Sequence, residues 1–243
     1  MGSSPIARAN KLSNAMKAIL LAAGEGIRMR PLTLNTPKPL LKVAGKSILE
    51  HLISRFPKEI DELILVIGYL GDKIKDYCGA TFLGRSVKYV WQKQKLGTYH
   101  ALELCRPHLK ENESFMLFYS DDLVDENAIR NCLGHDLAVV CKNIEDPRPF
   151  GVVTPAEDNT VKEIVEKPEN PLSNLVLANG YKLSSRLFDY PPEKHPKSGE
   201  FYLSVAISKM AKEHKIKIIE AKTWLSFGTP EDIVKKEHLI TDL

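Results

Sequence analysis

Nothing in this chain of 243 residues forms an apolar run of the roughly 18 residues that a membrane-spanning helix requires. Cysteine is sparse. The four residues, Cys78, Cys105, Cys132 and Cys141, make no C-x-x-C pair and no metal-ligand spacing. That pattern excludes a disulfide framework or a zinc site and suits reduced, mostly buried thiols of an intracellular protein. Charge of one sign is nowhere concentrated. A formal net charge of +3, with Lys and Arg spread along the chain, offers no block for nucleic acid. Met1 to Ala15 lack both periodicity and an apolar h-region, so they are no signal peptide. Ser13-Asn14-Ala15 ahead of Met16 looks like a cloning scar; residues 1–15 read as an expression tag, and the protein is expected in the cytoplasm. There is no linker, low-complexity tract or internal repeat, and no hexapeptide array that would extend the chain into a β-helix. Two phosphate-binding motifs are missing as well. G-x-G-x-x-G would need glycine where Met29 stands, and Gly45-Lys46-Ser47 would complete a P-loop only with glycine in place of Leu40.

What is present is an ordinary globular composition, 43% apolar and 27% charged, long enough to bury a sizeable core. Short apolar runs at Lys17–Ala22, Glu62–Ile67, Val87–Gln92, Phe115–Tyr119 and Leu137–Cys141 alternate with helical patterns at Ser47–Phe56, Gly71–Tyr77, Thr98–Leu109 and Asp125–Leu133. That alternation predicts βαβ units. After Pro147 the pattern changes to strands at Gly151–Thr154, Val161–Val165 and Leu175–Leu183. A helix at Leu203–His214, a strand at Lys217–Glu220 and a helix from Pro230, capped by Thr229, follow. The expected fold class is α/β: a Rossmann-like, mostly parallel sheet flanked by helices, with a smaller β-rich lobe. Residues 16–243 are expected to form one domain whose halves divide near residue 145.

The strongest local statement is Leu20-Leu21-Ala22-Ala23-Gly24-Glu25-Gly26-Ile27-Arg28-Met29-Arg30-Pro31-Leu32-Thr33, followed by Lys38-Pro39-Leu40. An apolar strand runs into a glycine-bearing loop that carries Arg28, Arg30 and Lys38. Strand ends of this kind bind polyphosphates in α/β proteins. Gly24 and Gly26 alone would suit a tight turn with no ligand. The crowding of cations in a proline-stiffened loop argues for an anion, because uncompensated charges there are costly without one.

These residues, with Pro37-Lys38-Pro39-Leu40 at the right distance, resemble the signature of sugar-1-phosphate nucleotidylyltransferases. Matching segments recur in order from Met16 to Leu243. The resemblance implies transfer of a nucleotidyl group from a nucleoside triphosphate to a sugar-1-phosphate with release of pyrophosphate. It implies that backbone amides around Ala23, Gly24 and Gly26 hold the nucleotide, that Arg28 binds the triphosphate and that Lys38 neutralises the transferring phosphate. Tyr89-Val90-Trp91-Gln92 and Lys95-Leu96-Gly97-Thr98-Tyr99-His100-Ala101 resemble the base-reading segment. There Gln92 would pair with a pyrimidine edge, Gly97 would admit the base and Thr98 would start the next helix. The Leu-Gly-Thr-x-His-Ala form is more similar to uridylyl-transferring enzymes than to thymidylyl ones. His100 itself reads as a helix histidine satisfied within the fold.

Phe115 to Asp122, an apolar strand ending in adjacent carboxylates, suits a magnesium ligand at Asp121, which the resemblance makes catalytic. The alternative is a plain turn beginning at Asp121-Asp122. On the sugar-binding lobe, Gly151, Glu166, Lys167, Asn179 and Gly180 match the segments that hold the sugar phosphate. Ser226, in Trp224-Leu225-Ser226-Phe227-Gly228-Thr229-Pro230, stands where the family has aspartate or asparagine as a second Mg²⁺ ligand. Ser226 could ligate directly or through water, Asp122 could compensate, or the protein could bind nucleotide sugars without turnover. The expected partners are thus a nucleoside triphosphate, UTP or dTTP, and a sugar-1-phosphate, with Mg²⁺ as cofactor. No nucleic acid or membrane is expected, and a homo-oligomer stays open. Alternatives are a CTP-dependent cytidylyltransferase acting on a non-sugar phosphate, a weakly catalytic nucleotide-sugar-binding regulatory protein, and a glycosyltransferase.

Overall fold

The computed structural model describes residues 16–243; the expression-tag reading of Met1 to Ala15 lies outside the described residues. The first half runs β1 (Met16–Ala22), β2 (Lys42–Val43), β3 (Lys46–Ser47), α1 (Ile48–Ser54), β4 (Ile60–Ile67), α2 (Gly71–Cys78), β5 (Thr81–Phe82), β6 (Arg85–Trp91), α3 (Thr98–Glu103), β7 (Ser114–Tyr119), β8 (Asp122–Val124), α4 (Glu126–Leu133) and β9 (Ala138–Asn143). The second half adds β10 (Gly151–Pro155), β11 (Val161–Glu166), β12 (Leu175–Ser184), α5 (Leu203–Met210), β13 (Lys217–Glu220), β14 (Trp224–Ser226) and α6 (Pro230–Lys236).

β1 is central because every residue from Ala18 to Ala22 is apolar and buried, which only a strand covered on both faces tolerates. It pairs in parallel with β4 on one side and β7 on the other, and β6 extends the parallel set beyond β4. Alternation splits the core in two. Ala18, Leu20 and Ala22 face the cluster built with α1, α2 and α4, whereas Ile19 and Leu21 face the one built with α3 and α5. The expected Rossmann-like, mostly parallel centre is therefore borne out. Its strand ends on one edge converge on the loops after β1, β6 and β7, the usual ligand crevice of such sheets.

The β-rich second half continues this sheet, which has ten strands among the described residues. β12 is the hinge between the two patterns. Its C-terminal half runs antiparallel to β7, its N-terminal half meets β10, and β9 lies along its other side. The register shifts between Leu177 and Tyr181, around Gly180 with φ 130°, where a side chain would press within 3.0 Å of Val140. The helix expected over Thr98–Leu109 stops at Glu103 and resumes as a 3-10 turn at Arg106–His108, since Pro107 cannot donate to the helical ladder. Thr229 caps α6 in a capping box with Asp232.

All four cysteines are free and buried. Burial pushes the thiols of Cys78, Cys105 and Cys132 up to about 12 and that of Cys141 higher still. A thiol reagent at mildly alkaline pH is expected to label none of the four in the native protein and all four after denaturation. Rapid native labelling of any of them would contradict this packing.

Candidate functional site

Beyond the C-terminal ends of β1, β6 and β7 lies a cavity of about 440 Å³. Ala23, Gly24, Gly26, Gln92, Gly97 and Thr98, all singled out for the nucleotide, line it, and so do Arg28, Lys38 and Asp121. Gly26 turns the loop with φ 61°, and the buried Thr33 hydroxyl donates to its carbonyl at 2.8 Å. A side chain at Gly24 would meet nothing within 4 Å, so the loop backbone is open to a ligand there.

The cations of the loop are less bare than the sequence implies. Lys38, buried in a proline-flanked turn, donates to Asp121 Oδ2 at 2.5 Å. Arg30 lies 3.9 Å from Glu25, which also pairs with Lys95 across the cavity mouth. Arg28 alone of the three has no acidic partner among the described residues; its guanidinium lies over Gly228, brought in by the C-terminal segment. Expected as three uncompensated charges, the loop thus holds one.

The base-reading segment is set by a backbone interlock. Gly97 has φ 99°, and the chain on both sides of it is tied to residue 201: Phe201 donates to the Leu96 carbonyl at 2.7 Å and Tyr99 donates to the Phe201 carbonyl at 2.9 Å. Thr98 Oγ1 accepts from Leu203 N at 3.0 Å, joining the start of α3 to the start of α5. Gln92 Nε2 donates to the Gly97 carbonyl and to His100 Nδ1, each at 3.1 Å, so His100 is satisfied within the fold, by the very residue expected to read the base.

A second cavity of about 270 Å³ adjoins the first, and Thr98, Tyr119 and Glu200 line both. Gly151, Glu166 and Lys167 line it as anticipated. Glu166 accepts from the Ser204 hydroxyl at 2.6 Å and lies 3.6 Å from the Lys167 ammonium, which sits 5.0 Å over the Tyr202 ring. Lys167 takes φ 47°, a left-handed conformation that is uncommon for a side-chain-bearing residue.

Two groups of expected site residues lie otherwise than together on the cavity walls. Asn179 and Gly180 line neither cavity. Asn179 is fully buried; its oxygen accepts from Tyr119 N at 2.8 Å, and its amide donates to the carbonyls of Tyr119 and Asp122 at 2.9 and 2.7 Å. It braces the turn that presents the carboxylates, and Gly180 serves the bend of β12. The metal trio is also split. Asp121 faces the first cavity with Lys38, whereas Asp122 faces the second. Asp121 lies in the turn after β7, as the turn reading has it, and Asp122 opens β8, directly opposite Ser226 on β14. Burial and the neighbouring charge of Asp121 push the Asp122 carboxyl well above the carboxylate range; the Lys38 ammonium, the Ser226 hydroxyl and the Trp224 indole N–H act the other way. Ser226 lines neither cavity and sits beside Asp122 across the β8–β14 pairing. Among the described residues, no group of three or more His, Cys, Asp and Glu could hold a metal ion.

Sequence reasoning missed Tyr119, Glu200, Ser204 and the Glu25–Lys95 pair. Glu200 and Ser204 gave no signal, since residue 201 approaches the site only through the interlock with Gly97.

A model described as "Nucleotidyl transferase" matches residues 17–242. The chain belongs to the nucleotidyl transferase family. Its resemblance to sugar-1-phosphate nucleotidylyltransferases is thereby borne out. A relative named bifunctional protein GlmU, from Methanocaldococcus jannaschii, is 35% identical over 230 residues, covering 93% of this chain and 55% of its own length. This chain thus spans about half of that relative. UTP–glucose-1-phosphate uridylyltransferase AglF from Haloferax volcanii is 30% identical over 93% of this chain and 97% of its own. A UDP-glucose pyrophosphorylase solved with UDP-glucose superposes with a TM-score of 0.81 at 21% identity, over 93% of this chain and 98% of that one, a likeness of fold.

Proposed function

We propose that this nucleotidyl transferase joins the nucleotidyl group of UTP or dTTP to a sugar-1-phosphate, releasing pyrophosphate, as a cytoplasmic enzyme. The observation that carries the reading is the pair of adjoining cavities, one lined by Arg28 and Lys38 and the other by Glu166 and Lys167. Two polyanions brought together at a shared wall need positioning and charge stabilisation more than any nucleophilic side chain, because the attacking atom is a phosphate oxygen of the sugar.

Arg28, free of any acidic partner among the described residues, takes the triphosphate, and the open backbone at Gly24 lets the loop amides approach it. Lys38 exchanges Asp121 for the transferring phosphate. Glu166, already fixed by Ser204, accepts from sugar hydroxyls, and Lys167 beside it pairs with the sugar phosphate. Asp121 and Asp122 are hard oxygen donors, and burial with the adjacent Asp121 charge raises the Asp122 carboxyl. That donor set fits Mg²⁺ held by one or two carboxylates and completed by phosphate oxygens, with Asp121 as the first ligand and Asp122 the second candidate. Bound there, Mg²⁺ would neutralise charge developing on the pyrophosphate.

The test is a pyrophosphate-release screen of the nucleoside triphosphates against a panel of sugar-1-phosphates with Mg²⁺. Release with UTP or dTTP is expected. Silence across the panel would refute the reading.

A further inference from the structure

His100 lies on α3 with its ring against Gln92, and nothing in the reading above gives it a task. We propose that His100 is a positioning residue that holds the Gln92 amide with its oxygen toward the nucleotide, and so sets which base the site admits. The inference rests on the reading of Gln92 as the base contact and deepens it.

The orientation of the amide follows from its partners. The Gly97 carbonyl can only accept, so the Gln92 atom 3.1 Å from it is the amide nitrogen. The second N–H of that nitrogen points to His100 Nδ1, also at 3.1 Å. His100 Nδ1 is therefore the acceptor, and the neutral ring carries its proton on Nε2. Both amide hydrogens are spent inside the protein. The oxygen receives no hydrogen bond from any described residue, and Gln92 lines the first cavity. The atom left for a ligand is a pure acceptor.

An acceptor opposite ring position 3 matches the imide N3–H of uracil or thymine and opposes the N3 lone pair of cytosine. A single bond to Gly97 would let the amide plane turn about its terminal torsion; the second, to His100, fixes the plane. Losing His100 frees one N–H and lets the side chain present donor or acceptor, which blurs the choice of base while leaving the phosphate clamp untouched. The cost of an unpaired polar group against the wrong base is what makes such discrimination large.

Equilibrium binding of UDP and CDP, measured by calorimetry, tests this without requiring turnover, with inorganic pyrophosphate as a probe of the clamp. The wild type is expected to prefer UDP. His100→Ala is expected to cut the UDP-to-CDP ratio about tenfold with pyrophosphate affinity and melting temperature retained, and His100→Gln, whose amide oxygen can accept in place of Nδ1, to recover most of it. If Gln92→Ala collapses the ratio and His100→Ala leaves it intact, the positioning role falls and the base contact stands. If His100→Ala weakens pyrophosphate and UDP alike, the role is general packing and the proposal is overturned. If neither variant changes the ratio, or the wild type has no preference, Gln92 does not read the base and both readings fail.

Discussion

Lys38→Met is expected to lower kcat/KM for the triphosphate by about 10²–10³, with most of the loss in kcat, the scale seen when one preorganised charge aimed at a transition state is removed. Methionine keeps the length and apolar stem of lysine in a turn that buries the residue, so the backbone of the loop has no reason to move. What disappears is the ammonium. In the free protein that charge is held by Asp121 at 2.5 Å, with the carboxylate side chain 34% exposed. Asp121 can therefore regain water when its partner leaves, and the stability cost should stay near 1 kcal/mol. The Asp122 carboxyl, which the Lys38 charge holds down, should rise further. The effect sought is thus a large kinetic loss on a nearly unchanged fold. Single-turnover kinetics and thermal melting measure the two separately, and a kcat/KM within threefold of wild type would remove Lys38 from the chemistry.

The second large effect is expected from Gly97→Ala. A Cβ there would come within 2.6 Å of the Phe201 carbonyl and 2.8 Å of the Phe201 nitrogen, in a residue with φ 99°. Neither atom can retreat cheaply, since each is already hydrogen-bonded in the interlock with Leu96 and Tyr99. Strain and clash together should cost about 3 kcal/mol, seen as a fall in melting temperature, and nucleotide affinity should be lost with the displaced Gln92 partner. Gly84→Ala is the control. Gly84 has φ 78°, but a side chain there meets nothing within 4 Å, so only backbone strain of about 1 kcal/mol remains. Equal losses in the two variants would mean that the interlock with Phe201 contributes nothing.

The central strands were legible because a parallel strand buried on both faces is a continuous apolar word; β1, β4 and β7 sit where Lys17–Ala22, Glu62–Ile67 and Phe115–Tyr119 were read. The clamp loop was legible for a related reason. Its glycines, prolines and cations lie within one connection, so their chemistry is local. β8 was not legible: three residues beginning at Asp122 are too few for a period, and they form a strand only because β14, about a hundred residues on, pairs with them. The bracing by Asn179 was not legible either, because an exposed asparagine and a buried one are the same letter. Only its three bonds to the Tyr119–Asp122 turn tell them apart.

From its residues alone, then, the chain determined a parallel α/β sheet, the strand end at which a polyphosphate would sit, and the membership of the nucleotidyl transferase family that the comparison bore out. These depend on periodicity and on side chains close together in sequence. Tertiary structure decided which charges are free and which are spent. Lys38 is paired with Asp121 across 83 residues, Ser226 lies opposite Asp122 on the neighbouring strand, and the Gln92 amide is turned by Gly97 and His100. Charge and hydrogen bonding act over a few ångströms of space whatever the separation along the chain, so a sequence can name such groups but only the fold can say what each one faces.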